Sequence, residues 1–309
     1  MSRPPNELES LRELITLHKR RDRWFVFIGF FATSIGLLTL IGLFGDLITD
    51  GYPRLGWDFF SSFPSRRAES AGILSAMVGT LMVMIVTAAS AIPLGIAAGI
   101  YLEEYASRNR FTDFIEINVS NLAGVPSIVY GLLALGFFVQ MLDLGRSVLS
   151  AGLTLGLLTL PVIIVATREA IRTIPGTIRE AAYALGASKW QVVSNHVVPY
   201  SMGGILTGVI LGLSRAIGET APVITIGALT FIAFLPPSPI GTEAPFVNFE
   251  WLFSPFTVLP IQMFNWLSRP QAAFLVNAAA TGIIIVTATL LMNGLAIWLR
   301  YRYRQRIKW

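Results

Sequence analysis

Long apolar segments alternate with short charged ones along most of this chain. Six segments are apolar over at least the ~20 residues that a helix needs to cross a bilayer. They are residues 24–44, 71–102, 117–142, 147–167, 200–234 and 271–299. Because the backbone inside a bilayer must satisfy its own hydrogen bonds, this pattern predicts an all-α polytopic membrane protein with six transmembrane helices.

Prolines and glycines interrupt several of these segments. Pro93 lies inside the second segment, which we expect to be kinked or tilted there. The sequence Gly-Val-Pro-Ser at 124–127 predicts a break in the third span, and Pro222 divides the fifth. Prolines recur between residues 236 and 270, which predicts a long loop. Within that loop, residues 260–267 are expected to form a short interfacial helix.

Composition and charge agree with a bilayer and predict an orientation. Hydrophobic residues make up 54% of the 309 residues and charged residues 13%, against about a quarter charged in soluble domains. Seventeen Lys and Arg residues fall in the tails and loops on one side of the predicted spans, and five fall in the opposite loops. The positive-inside rule therefore places residues 1–23, residues 300–309 and the central loop, residues 177–199, in the cytoplasm. The loop 236–270 is then periplasmic, and the net charge of +5 indicates topology and not nucleic-acid binding.

The N-terminal tail carries six basic residues before the first span at residues 24–44. Leu8, Leu11, Ile15 and His18 recur in it at helical spacing, which predicts a short amphipathic helix on the cytoplasmic surface. The alternative is a solvated tail that only sets the orientation of the chain.

The chain lacks the residues of several catalytic and metal sites. It contains no cysteine, and its two histidines, His18 and His196, have no metal-ligand spacing. We therefore expect no metal site and no catalytic residue, which argues against an intramembrane enzyme. The phosphate-binding motif G-x-x-x-x-G-K-[ST] does not occur, so we expect no cofactor in this chain.

The central loop mixes charged and apolar residues between two apolar spans. Thr177 with Glu180, and Ser188 with Gln191, have the spacing of two helix capping boxes. Gly186 lies between them, where a glycine in the left-handed conformation can end a helix without a Cβ penalty. The loop is therefore predicted to form a short helix, a corner and a second short helix at the membrane surface.

The same loop resembles the EAA loop of ABC importer permeases. The matching positions are Glu180, Ala181, Ala182, Gly186 and Pro199. Two positions depart from the pattern, since His196 stands where an apolar residue is usual and Val198 replaces a leucine. The resemblance implies a type I ABC importer permease fold and a loop that docks into a separate ATPase subunit. The alternative is an ordinary amphipathic cytoplasmic loop.

Two charged residues stand inside the fifth apolar span. Arg215 and Glu219 are four residues apart and share a helix face, where a charge at the bilayer centre costs at least ~2.5 kcal/mol. Three glycines precede them on the same arc: Gly204, Gly208 and Gly212. We expect this face, with Pro222 as a hinge, to meet a partner helix or a translocation path. Arg215 would then bind an oxyanion and Glu219 would hold the guanidinium, whereas the alternative is a purely structural ion pair.

Several stretches of the core domain, residues 71–299, resemble the PstA-type permeases of phosphate ABC transporters. The most specific is RAIGETAP at 215–222, and others are GVPS at 124–127 and FTVLPIQMFNWLSRP at 256–270. The resemblance implies an inner-membrane permease for inorganic phosphate with three kinds of partner. They are a PstC-type permease, two PstB-type ATPase subunits that bind ATP and Mg, and a PstS-type periplasmic phosphate-binding protein. Sulfate or molybdate permeases and an ion-coupled secondary anion transporter are the alternatives.

Overall fold

The computed structural model describes residues 5–107, 109–240, 246 and 248–304. The regular elements of these residues are all helices, as the sequence predicts. Within the described residues, five helical segments are long and apolar enough to cross a membrane: Asp22–Arg54, Leu74–Tyr105, Val148–Arg172, Lys189–Gly218 and Ala273–Tyr303. The count reaches the predicted six if one sharply bent pair of helices forms a single span.

In the first of two compact units, Met1–Asp50, the described residues all belong to the helix α1 (Pro5–Gly51). This helix is 47 residues long, so the basic tail is not the separate short helix that we expected. No proline interrupts it, and Lys and Arg are good helix formers, so the charged residues do not end it. Large apolar side chains from Trp24 to Ile48 are exposed, as contact with lipid requires. The predicted apolar positions between residues 8 and 15 lie outside the described side chains.

The second unit, Gly51–Trp309, contains the remaining helices. After α2 (Trp57–Ser61), the long helix α3 (Leu74–Ile100) runs through Pro93 without ending. It continues into a π-helical turn at Tyr101–Tyr105. Because of this extra turn, Glu103 and Glu104, which follow the predicted span 71–102, belong to the helical end of α3.

A sharp bend separates α4 (Arg110–Leu122) from α5 (Ser127–Ala134), which a π-helical segment extends to Met141. The two arms differ in direction by 106°, so the break predicted at 124–127 is present. Helix α4 begins at residue 110, before the start predicted for the span at 117, because the Asn109 side chain accepts hydrogen bonds from two amides of the first turn. At the bend, the Leu122 carbonyl accepts from the Val125 N–H at 3.2 Å and from the Tyr130 hydroxyl at 2.8 Å, so the tyrosine ties α5 to the end of α4.

The helix α6 (Val148–Arg172) is the most buried of the long helices and packs between its neighbours. Small residues on α3 allow the close approach, because a Cβ at Gly95 or Gly99 would lie 2.6 Å from a side chain of α6. The Thr87 hydroxyl also donates to the Gly152 carbonyl at 3.1 Å across this contact. The core of the second unit is therefore centred on α6.

The helices α7 (Gly176–Ala184) and α8 (Lys189–Val192) follow α6. From α8 the chain passes through a π-helical turn, Val193–Val197, directly into α9 (Val198–Gly218). We predicted that the second short helix is separate. It is instead the start of a 30-residue helix. The π turn explains the continuity, since the helix can tolerate the missing N–H of Pro199 where its hydrogen-bond register changes.

The fifth predicted span, residues 200–234, is helical over only part of its length. After α9 comes only the short α10 (Ala221–Ile226), which Gly227 ends with a left-handed φ of +101°. Further along, α11 (Leu259–Leu267) confirms the short helix predicted at 260–267. The last helix, α12 (Ala273–Arg304), covers the sixth predicted span from residue 273 onward and continues into the basic tail.

Candidate translocation site and coupling segment

Arg215 and Glu219 form an ion pair at the end of α9. Arg215 Nε donates to Glu219 Oε1 at 3.2 Å. The structure corrects one part of the prediction, because Glu219 lies just beyond the helix in an extended conformation. Helix α9 ends at Gly218, four residues before Pro222, which has no N–H to donate to the Gly218 carbonyl. The pair therefore bridges the break between α9 and α10.

The two partners of this pair differ in exposure. The side chain of Arg215 is 55% exposed and that of Glu219 is 16% exposed. Within the described residues Arg215 bonds only through Nε, so both terminal nitrogens keep their donors for another acceptor. Beside Glu219 there is a gap of about 10 Å³ between α3, α6 and α10, which is at the lower limit for one water molecule. Arg215 is thus the exposed partner of the pair, and Glu219 is the more buried one.

The glycines that precede the pair bring α9 close to α6. A Cβ at Gly204 would lie 2.6 Å from Ala170 Cβ, and one at Gly208 would clash with Ala166. Gly212 is less tightly packed, with its nearest neighbour, Ile163, at 3.5 Å. Their partner is therefore α6 of the same chain, and Arg215 lies on open surface beyond this contact. Pro222, the predicted hinge, is buried near the start of α10.

The segment predicted to dock, residues 177–199, is called here the EAA segment. Its first capping box is wrong, because α7 already begins at Gly176 after Pro175, which places Thr177 inside the helix. The second capping box is confirmed. The Ser188 N–H donates to Gln191 Oε1 at 2.8 Å, and the Gln191 N–H donates to Ser188 Oγ at 3.4 Å.

Gly186 forms the corner between α7 and α8. Its φ of +83° lies in the left-handed region, as predicted. The Gly186 N–H donates to the Tyr183 carbonyl at 2.9 Å, and the Ala187 N–H donates to the Ala182 carbonyl at 3.1 Å, so both amides cap the end of α7. Among the residues that the structure describes, no atom beyond the two chain neighbours lies within 4 Å of the position of a Cβ at Gly186. Glycine is therefore favoured by backbone conformation and not by lack of space.

The corner presents apolar side chains on its surface. Leu185 is 89% exposed, and Tyr183 and Trp190 are also exposed. Glu180 and Ala181 are exposed, Ala182 is buried, and Pro199 is exposed near the start of α9. Large exposed apolar groups next to a charged residue are typical of an interaction surface. The buried side of the segment is held by a cluster of five residues: Ile171, Ile174, Ala182, Val192 and Val197.

Sequence reasoning missed a charge network at the ends of α3 and α6. Arg168 is buried, with Nη2 2.6 Å from Glu116 Oε1 and Nε 3.4 Å from Glu103 Oε2. Arg172 Nε donates to the same Glu103 carboxylate at 3.0 Å. The available signal was the presence of opposite charges at the ends of apolar segments that we placed on one side of the membrane.

Residues 91–309 match the family described as binding-protein-dependent transport system inner membrane component. This chain belongs to that family. It is therefore a membrane-spanning permease of an ABC importer, which implies a partner permease and an ATPase. The match begins inside α3 and includes α4 to α12 with the EAA segment, so both candidate sites lie within it.

Similar proteins carry more specific names. The phosphate transport system permease protein PstA 1 of Mycobacterium tuberculosis is 34% identical over 282 residues, which cover 88% of this chain and 87% of that protein. The phosphate transport system permease protein PstA of Haemophilus influenzae is 32% identical over 77% of this chain and 84% of its own length. The probable ABC transporter permease protein YqgI of Bacillus subtilis is 31% identical over 84% of this chain and 88% of its own length.

A solved structure supports the fold of the permease. A chain of the MetNI methionine ABC transporter, in an inward-facing conformation, matches with a TM-score of 0.57. The match covers 73% of this chain and 93% of that chain at 16% identity. This likeness agrees with the type I importer permease fold predicted from the EAA segment.

Proposed function

We propose that this permease forms part of the translocation path for inorganic phosphate in an ATP-driven importer. The observation that carries the proposal is the ion pair of Arg215 and Glu219, in which the arginine keeps two nitrogens free for an anion. The names of the PstA relatives in Mycobacterium tuberculosis and Haemophilus influenzae support the choice of phosphate. Sulfate and molybdate have similar oxygen acceptors and remain the rival substrates.

The chemistry of the pair suits a transient anion site. A guanidinium can present two parallel N–H donors to two oxygens of phosphate, which gives a stronger and more directional contact than a lysine would. Glu219 holds Nε of Arg215 and offsets part of its charge when no anion is present. An anion must also leave the path, and the nearby carboxylate weakens its binding enough for release.

This chain supplies only one side of the proposed path. The gap beside Glu219 holds about 10 Å³, which is far below the volume of a phosphate ion, and Arg215 faces open space. In the proposal a PstC-type permease covers that side and completes the path. A PstS-type protein delivers phosphate on the periplasmic side.

The EAA segment is the proposed dock for one of two PstB-type ATPase subunits, which bind ATP and Mg. Its exposed corner, with Leu185 and Trp190, supplies the apolar contact, and Glu180 supplies an adjacent charge. This arrangement requires the EAA segment and both termini to be cytoplasmic, which agrees with the distribution of Lys and Arg. An ion-coupled secondary transporter would have no use for such a dock.

The proposal is tested with Arg215→Gln, which preserves length and some hydrogen bonding but removes the charge. We expect uptake of labelled phosphate to be lost while the variant still co-purifies with the ATPase and the partner permease. Glu219→Gln is the comparison and should lose less, because the positive group remains. Phosphate uptake at the wild-type rate by Arg215→Gln would mean that the ion pair is structural. Uptake of labelled sulfate but not phosphate by the wild type would reject phosphate as the substrate.

A further inference from the structure

The π-helical turn Tyr101–Tyr105 at the end of α3 contacts the EAA segment through a buried ion pair. Arg179, which lies in α7 next to Glu180, donates to Glu104 Oε1 from Nη2 at 2.6 Å and from Nε at 3.0 Å. The side chain of Glu104 is only 7% exposed and that of Arg179 is 21% exposed. Such a pair differs from a surface salt bridge, since losing one partner leaves a buried charge without compensation.

The same guanidinium also ties α7 to the end of α6. Arg179 Nη1 donates to the Ile174 carbonyl at 2.9 Å, and Nη2 lies 3.3 Å from the Ile171 carbonyl. These carbonyls belong to the end of α6 and the turn after it, and the Ile171 carbonyl also accepts from the Ile174 N–H at 3.1 Å. Arg179 therefore links α7 to the end of α3, to the end of α6 and to the turn after α6.

The residue after Glu104 contacts the other arm of the EAA segment. The Lys189 ammonium lies 5.0 Å from the centre of the Tyr105 ring, within the range of a cation–π interaction. Lys189 begins α8, so consecutive residues of the π turn contact α7 and α8 separately. The preceding residue, Glu103, accepts from Arg172 on α6. Three consecutive side chains thus join α3 to three other helices.

We propose that Glu104 and Arg179 are positioning residues that transmit movement of the EAA segment to α3. This inference rests on the proposed function, in which an ATPase subunit docks on the EAA segment. When α7 moves, the buried pair and the Tyr105 contact draw the end of α3 with it, and Glu103 carries the same movement to α6. The transmembrane helices then respond to the ATPase as a group instead of through α9 alone.

The test uses the complete transporter in liposomes and measures phosphate transported per ATP hydrolysed. For Glu104→Gln we expect ATP hydrolysis within twofold of the wild type and at least a fivefold lower ratio of transport to hydrolysis. Glu169→Gln is the matched control, because Glu169 pairs with Arg172 within the same helix and its side chain is 65% exposed. Its ratio should stay within twofold of the wild type.

A second variant keeps the inference testable if Glu104→Gln does not assemble. Arg179→Lys retains the positive charge but loses the fork that reaches Glu104 and the α6 carbonyls together. We expect it to assemble and to lower the ratio at least twofold. The inference is overturned if the ratio is unchanged in the assembled variant, or if hydrolysis and transport fall together. A wild-type transporter that moves no phosphate would instead reject the proposed function.

Discussion

Replacing Gly186 by valine would alter the corner of the EAA segment without a steric clash. Gly186 has a φ of +83°, and no atom beyond its immediate neighbours lies within 4 Å of the position of its Cβ. The effect must therefore come from backbone conformation, since an L residue in this region costs about 1–2 kcal/mol and a β-branched residue rarely adopts it. This free energy corresponds to a roughly 5- to 30-fold shift away from the native corner.

The altered corner should change the position of α8 relative to α7. We expect Gly186→Val to reach the membrane at normal abundance, to lose phosphate uptake and to co-purify less with the ATPase subunit. Gly186→Asn should retain most uptake, because asparagine tolerates the left-handed region. Gly176→Val is the matched control, since Gly176 also has open space around its Cβ but its φ lies outside that region. Normal uptake and ATPase capture by Gly186→Val, or an equal loss in the control, would refute the reasoning.

Two further predictions concern packing and topology. Gly208→Leu should lower the free energy of unfolding of the purified chain, measured by thermal unfolding, by about 1–3 kcal/mol, because the leucine overpacks against α6. Gly36→Leu should not lower it, since Gly36 has open space around it on α1. A stability of Gly208→Leu equal to that of the wild type would contradict this contact. Reporter fusions after Lys19, Trp190 and Arg302 should all indicate the cytoplasm, and a periplasmic signal from any of them would reject the proposed orientation.

The long helices could be predicted because the bilayer sets a minimum length for an apolar segment. The break at 124–127 was also predictable, because Pro126 lacks the N–H that a continuous helix would use. Helix ends were less predictable. Arg110 begins α4 well before the apolar segment because the Asn109 side chain caps it. Helix α9 ends at Gly218, four residues before Pro222, whereas α3 continues through Pro93. Polar caps and hydrogen-bond registers decide these positions, and hydropathy does not report them.

The candidate sites also differ in how well the sequence predicts them. The left-handed Gly186 and the pairing of Arg215 with Glu219 follow from local rules, because their partners lie within four residues. The pair of Glu104 and Arg179 does not, since its partners are 75 residues apart in sequence. One chain offers many opposite charges near the ends of its apolar segments, and only the packing of α3 on α6 selects which of them meet.

A single helix connects the two ends of the proposed mechanism. Trp190, at the exposed corner of the EAA segment, and Arg215, at the proposed anion site, both lie in the 30-residue helix Lys189–Gly218. At 1.5 Å per residue they are about 38 Å apart along the helix axis. If the helix tilts by about 5° about one end, its other end moves by about 3 Å. A charge-assisted hydrogen bond to an anion spans about 2.7–2.9 Å. In the proposed mechanism, a small movement of the corner is therefore enough to make or break a contact of Arg215 with phosphate. The π turn at Val193–Val197 lies between the two ends and is the point where this helix can change direction.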